Sequence, residues 1–120
     1  MIQIDNSKGS IRISGEVITN IAGDAATKCF GVKGMVGHEK KGDPFQLLRR
    51  ESMSKGVEIR LNDDNSISLD LHIGVDQGVN VIAAANSIIN EVSYKVQKAT
   101  SMTIKDVNVY IDTVDRKSVV

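Results

Sequence analysis

Val57-Glu58-Ile59-Arg60-Leu61-Asn62-Asp63-Asp64-Asn65-Ser66-Ile67-Ser68-Leu69-Asp70-Leu71-His72-Ile73 alternates apolar and polar residues on both sides of an Asx-rich cluster. Strict alternation is the period of a strand with one buried face. Asn and Asp side chains bond back to their own backbone and tolerate left-handed φ, so residues 62–65 read as the turn between two strands. A β-hairpin is therefore predicted, with Val57, Ile59, Leu61, Ile67, Leu69, Leu71, Ile73 and Val75 facing a core. Glu58, Arg60, Asp70 and His72 face outward.

Working outward, Val81, Ile82, Ala85, Ile88, Ile89, Val92, Val96 and Ala99 trace one face of a helix over about 80–100, with Glu91 and Lys95 four apart on its outside. Beyond it Val107, Val109 and Ile111 alternate with Asn108, Tyr110 and Asp112, a closing strand before a tail at 116–120. On the other side, Val17, Ile18, Ile21, Ala22, Ala25 and Ala26 form a helical stripe from Gly15 to about Cys29, with Ser14 placed as its cap. Ile11 and Ile13 precede it as a short strand that Ile2 and Ile4 extend through a turn at 6–9. Gly31 reads as the stop of the first helix, and 32–37 as a short strand. The order is β-α-β-(loop)-β-β-α-β. It predicts an α+β fold, two helices packed on one face of a mostly antiparallel or mixed sheet. Residues 1–115 form one domain in this reading.

The segment 38–55 is different in kind, with Lys40, Lys41, Arg49, Arg50 and Lys55 set against Glu39, Asp43 and Glu51. Asp43-Pro44 has the form of a helix start, opening a short turn that carries Phe45, Leu47 and Leu48. The segment is read as a variable, charged insert.

At 120 residues the chain has the size of one ordinary domain, and its fifteen basic and fifteen acidic residues cancel. The global electrostatic pull of a nucleic-acid or anionic-membrane binder is missing. A single cysteine, Cys29, allows no internal disulfide and fits a reducing cytoplasm. No apolar run has the length of a membrane span. His38 and His72, the only imidazoles, have no thiol or serine motif beside them. Asp63-Asp64 lacks the spaced oxygen ligands of a calcium loop. No catalytic set, metal site or cofactor is predicted. Gly31-Val32-Lys33-Gly34 does have the G-x-x-G form with which KH domains clamp a nucleic-acid backbone, and Lys40 and Lys41 would add charge to it. In a KH domain that loop joins two helices, whereas a strand is expected here, and aromatic residues make up only 3% of the chain.

The landmarks together resemble the bacterial alkaline shock protein family of Gram-positive general stress proteins, over nearly the whole chain. The residues that carry the likeness are Gly9-Ser10-Ile11-Arg12-Ile13-Ser14 leading into Glu16-Val17-Ile18, and Ile21-Ala22-Gly23 with Ala25-Ala26. Gly31-Val32 with Gly34-Met35, Lys55-Gly56-Val57 and Val107-Asn108-Val109 complete it. The resemblance implies a cytoplasmic, non-enzymatic protein of cell-envelope homeostasis, held at the membrane in some members by a partner. The expectation is a scaffold or adaptor that self-associates or docks a membrane-anchored protein. Its contact residues are Arg12, Glu58, Arg60, Asp70, His72 and Tyr110 on an outward sheet face, and Phe45, Leu48, Arg49 and Arg50 on a docking turn. A KH-like single-stranded RNA module on Gly31, Lys33, Gly34, Lys40 and Lys41 is the alternative.

Overall fold

The computed structural model describes residues 2–36 and 56–115. The insert residues Lys40, Lys41, Phe45, Leu48, Arg49 and Arg50 and the tail at 116–120 lie outside them. The expected α+β fold is present. Strands β1 (Ile2–Asn6) and β2 (Gly9–Ile13) lead into helix α1 (Gly15–Thr27) and strand β3 (Val32–Met35). Strands β4 (Val57–Leu61) and β5 (Ile67–Asp76), helix α2 (Val81–Thr100) and strand β6 (Ile104–Asp115) follow.

The hairpin forms where the alternation places it. Leu61 pairs with Ile67 and Val57 with Leu71. Asn65 takes a φ of 68° at the turn, a conformation that Asn tolerates. Asp64 Oδ1 accepts from the Ser66 hydroxyl at 2.6 Å and from its amide at 3.0 Å. These bonds hold the Asp64 carboxyl below its ordinary value of 3.8. Because the folded value is the lower one, the contribution is complete above the unfolded value and lost as pH falls through the folded one. Acid unfolding followed by circular dichroism is expected to steepen below about pH 4, and Asp64→Asn to remove part of that slope.

Strand β5 is the centre of the main sheet. Ile67, Leu69, Leu71, Ile73 and Val75 are all fully buried on the face that the helices cover. Ile18, Ala22, Ala25 and Ala26 of α1 share their core, with Ile88, Val92 and Val96 of α2. Burying a branched aliphatic side chain contributes about 1.5–3 kcal/mol, so this row dominates the stability. The α1 stripe is narrower than its apolar residues suggest. Val17 remains 48% exposed, because the buried positions follow 18, 22, 25 and 26, a spacing that leaves residue 17 at the flank. Ile82 is 70% exposed for the same reason, since α2 buries 84, 88, 92, 96 and 100. Ser14 caps α1 as read, its Oγ accepting from Val17 N at 3.4 Å, and Asn80, not read as a cap, closes the start of α2 with its Oδ1 accepting from Ala83 N at 3.0 Å.

Three features go beyond the sequence reading. The segments on either side of the turn at 6–9 pair as expected, Ile2 with Ile13 and Ile4 with Ile11, but among the described strands they join no other and make a separate sheet. Strand β6 runs parallel to β5, delivered to that side by the α2 crossover. Strands β3 and β4 occupy the same edge of β5 in line. Val36 N donates to His72 O at 2.9 Å, and Val57 pairs with Leu71, the next residue along. The chain leaves that edge at Val36 and rejoins it at Val57. Gly56 packs so closely at the junction that a Cβ there would lie 2.9 Å from Met35 Cβ and 3.1 Å from the Val36 carbonyl oxygen.

Candidate functional site

The face of the β4–β5–β6 sheet turned away from the helices carries the exposed residues Glu58, Arg60, Asn108, Tyr110 and Asp112. Side-chain alternation gathers polar groups there, since each strand that buries odd-numbered residues presents even-numbered ones. Glu58, Asp70 and Asn108 stand in one row of the ladder, and His72 and Tyr110 in the next. The groups are tied to one another. Asp70 Oδ1 accepts from Arg60 Nη2 at 3.1 Å and from Asn108 Nδ2 at 2.9 Å. His72 stacks on Tyr110, and its Nδ1 lies 2.9 Å from Asp112 Oδ2. A carboxylate only accepts, so Nδ1 carries the proton in that bond. Glu58 Oε1 approaches Nε2 from the other side at 3.9 Å.

Asp112 reaches His72 because of an irregularity in β6. Ile111 pairs with Ile73 and Thr113 with Gly74, which leaves Asp112 as an extra residue in the strand. A bulge of this kind re-aims a side chain. Asn108 and Asp112 belong to the network although the sequence reading did not select them; the alternation that picks Tyr110 was their signal. His72 corrects the reading in another respect. Its position is outward, yet only 8% of it is exposed, since the Tyr110 ring and neighbouring side chains enclose it.

Arg12 is not part of this face. It lies opposite Gln3 in the separate β1–β2 sheet. The structure thus brings together Glu58, Arg60, Asp70, His72 and Tyr110 of the expected set and leaves Arg12 apart. The docking-turn residues Phe45, Leu48, Arg49 and Arg50 are outside the described residues.

The glycine pair has a structural account. Gly31 has a φ of 88°, and its carbonyl accepts from Asp76 N at 2.9 Å, which ties the turn after α1 to the end of β5. Lys33 and Gly34 then lie within β3, with Gly34 opposite Gly74 and Lys33 Nζ 3.9 Å from Asp76 Oδ1. The G-x-x-G residues enter a strand and do not form a loop joining two helices. Lys40 and Lys41 lie outside the described residues. Cys29 is partly buried under α2, and desolvation pushes its thiol above the ordinary value, the opposite of what a nucleophile needs. Among the described residues no three His, Cys, Asp or Glu side chains are placed to hold a metal ion. No helix among them is long and apolar enough to cross a membrane.

The chain is 32% identical over 114 residues to the uncharacterized protein YloU of Bacillus subtilis (strain 168), covering 94% of each. It is likewise 32% identical over 114 residues to the uncharacterized protein Spy1614 of Streptococcus pyogenes serotype M6, covering 94% of this chain and 93% of that one. Among solved structures the copper form of the MamM C-terminal domain aligns with 88% of each chain at 20% identity, with a TM-score of 0.49. Residues 3–116 match the alkaline shock protein 23 family, described as having a cell envelope-related function. The chain belongs to that family.

Proposed function

We propose that this protein is a non-enzymatic adaptor or scaffold of the cell envelope, working through protein–protein contacts made on the open face of the β4–β5–β6 sheet. The observation that carries the reading is the fixed network of Arg60, Asp70, Asn108, His72, Tyr110 and Asp112 on the face opposite the buried row of β5, where Arg60, Asn108, Tyr110 and Asp112 are exposed. Its hydrogen bonds run between side chains along the sheet and do not converge on a cleft. Such a surface offers pre-ordered polar contacts to another protein, since side chains already held in place lose little entropy on binding. Phe45, Leu48, Arg49 and Arg50 are proposed as a second contact on the insert. The protein acts in the cytoplasm under stress, self-associating or held near the membrane by its partner.

The test is affinity purification of the tagged chain from separated membrane and soluble fractions. Arg60→Glu with Tyr110→Ala disables the face, and Phe45→Ala with Leu48→Ala disables the insert contact. Proteins recovered from the membrane fraction are expected to be lost with the face variant, and depleted with the insert variant. Recovery of the same proteins by a folded face variant would sink the reading.

A further inference from the structure

The ring centroids of His72 and Tyr110 lie 4.7 Å apart, with planes 11° from parallel. That distance is the spacing of neighbouring strands. The rings therefore stand side by side across the β5–β6 ladder, and His72 covers only the inner face of Tyr110. Among the described strands β6 pairs with β5 alone, so the other face of the Tyr110 ring looks out past the sheet edge. The residue is 45% exposed. It is the end of a stack with room for one more member.

The edge beside it is regular. Strand β6 follows β5 without interruption from Asp106 to Ile111. An edge of this kind accepts an extended chain through main-chain hydrogen bonds, with side chains selecting the occupant. Here the selection is by charge. Arg60 and Asn108 both engage Asp70. Asp112 meets the His72 imidazole, and Asp106 has no ion-pair partner among the described residues. Asp106 and Asp112 thus carry negative charge on the same side of the edge strand as Tyr110, one before it and one after it along β6.

We propose that the outer edge of β6 receives an extended basic segment of a partner polypeptide, one cationic side chain of which completes the stack over Tyr110 between Asp106 and Asp112. The proposal rests on the open face being a docking face and adds the chemistry of its occupant. A cation over an aromatic ring is attracted by the ring quadrupole, and a guanidinium also matches its plane. A second copy of this chain fits the edge less well, because each copy brings Asp106 and Asp112 to the same interface.

The test titrates the full chain with a short synthetic peptide alternating arginine with threonine, and with its glutamate counterpart. Saturable binding of the arginine peptide alone is expected, with added hydrogen-exchange protection at the amides of residues 106–111. Tyr110→Ala is expected to weaken it about fivefold and Tyr110→Phe to stay within about twofold, since the ring and not the hydroxyl is used. Asp106→Asn with Asp112→Asn is expected to weaken it roughly tenfold at low salt, and Arg12→Ala not at all. Thermal melts confirm that each variant is folded. Absence of arginine-peptide binding, equal binding of the glutamate peptide, or binding indifferent to Tyr110 and both aspartates overturns the proposal. Should the face variant lose its membrane-fraction partners while the arginine peptide does not bind, the basic occupant falls and the docking face stands.

Discussion

Gly31→Ala is expected to lower the melting temperature by roughly 10 °C. Two costs combine. A φ of 88° is open to glycine, whereas an L side chain in the left-handed region costs about 1–2 kcal/mol. A Cβ at this position would also lie 2.8 Å from Val79 Cγ1 and 3.0 Å from Val79 Cγ2, so the segment before α2 must shift. Together they amount to about 2–3 kcal/mol, and each kcal/mol moves the midpoint of a domain of this size by about 4 °C. Circular dichroism melts of parent and variant measure it. The result bears on function as well. A glycine used to admit a nucleic-acid backbone would change binding and leave the melt alone; an unchanged melt would return Gly31 to the candidates for a ligand contact.

Leu71→Ala is expected to cost about 3 kcal/mol, within the range for removing a fully buried leucine. Leu71 sits midway along β5, fully buried in the core that includes residues of both helices, with β4 and β6 on either side. Its neighbours are held by the ladder and cannot collapse into the space. Urea unfolding gives the comparison, with a lower midpoint and an unchanged slope expected. Tyr110→Ala, on the opposite side of the same sheet, is the contrast. Its ring is 45% exposed, so its removal is expected to cost much less. Near-equal losses would mean that the open face is covered in the folded protein, and the docking reading would fail with it.

Much of this was legible before any coordinates. Alternation around Asn62-Asp63-Asp64-Asn65 determined the β4–β5 hairpin and its buried face, because a period of two admits one register when one side must leave water. Ser14 marked the start of α1, since a short polar side chain can close the first turn. Gly31 marked a stop. The same alternation placed Glu58, Arg60, Asp70, His72 and Tyr110 on outward positions.

Local pattern did not carry what depends on strands far apart in the chain. The pairing of β1 with β2 away from the main sheet separated Arg12 from the other outward residues, although its own alternation is indistinguishable from theirs. The parallel placement of β6 set Tyr110 against His72, and one extra residue in that strand turned Asp112 onto the imidazole. The alignment of β3 with β4 placed Val36 and Val57 side by side along one edge of β5. Residue order determined which side chains face inward and where the chain turns, because those follow from burial and backbone chemistry within a few residues. Which outward side chains meet was decided by strand order and register, because hydrogen-bond ladders join residues about 40 positions apart, a separation at which sequence periodicity carries no phase information.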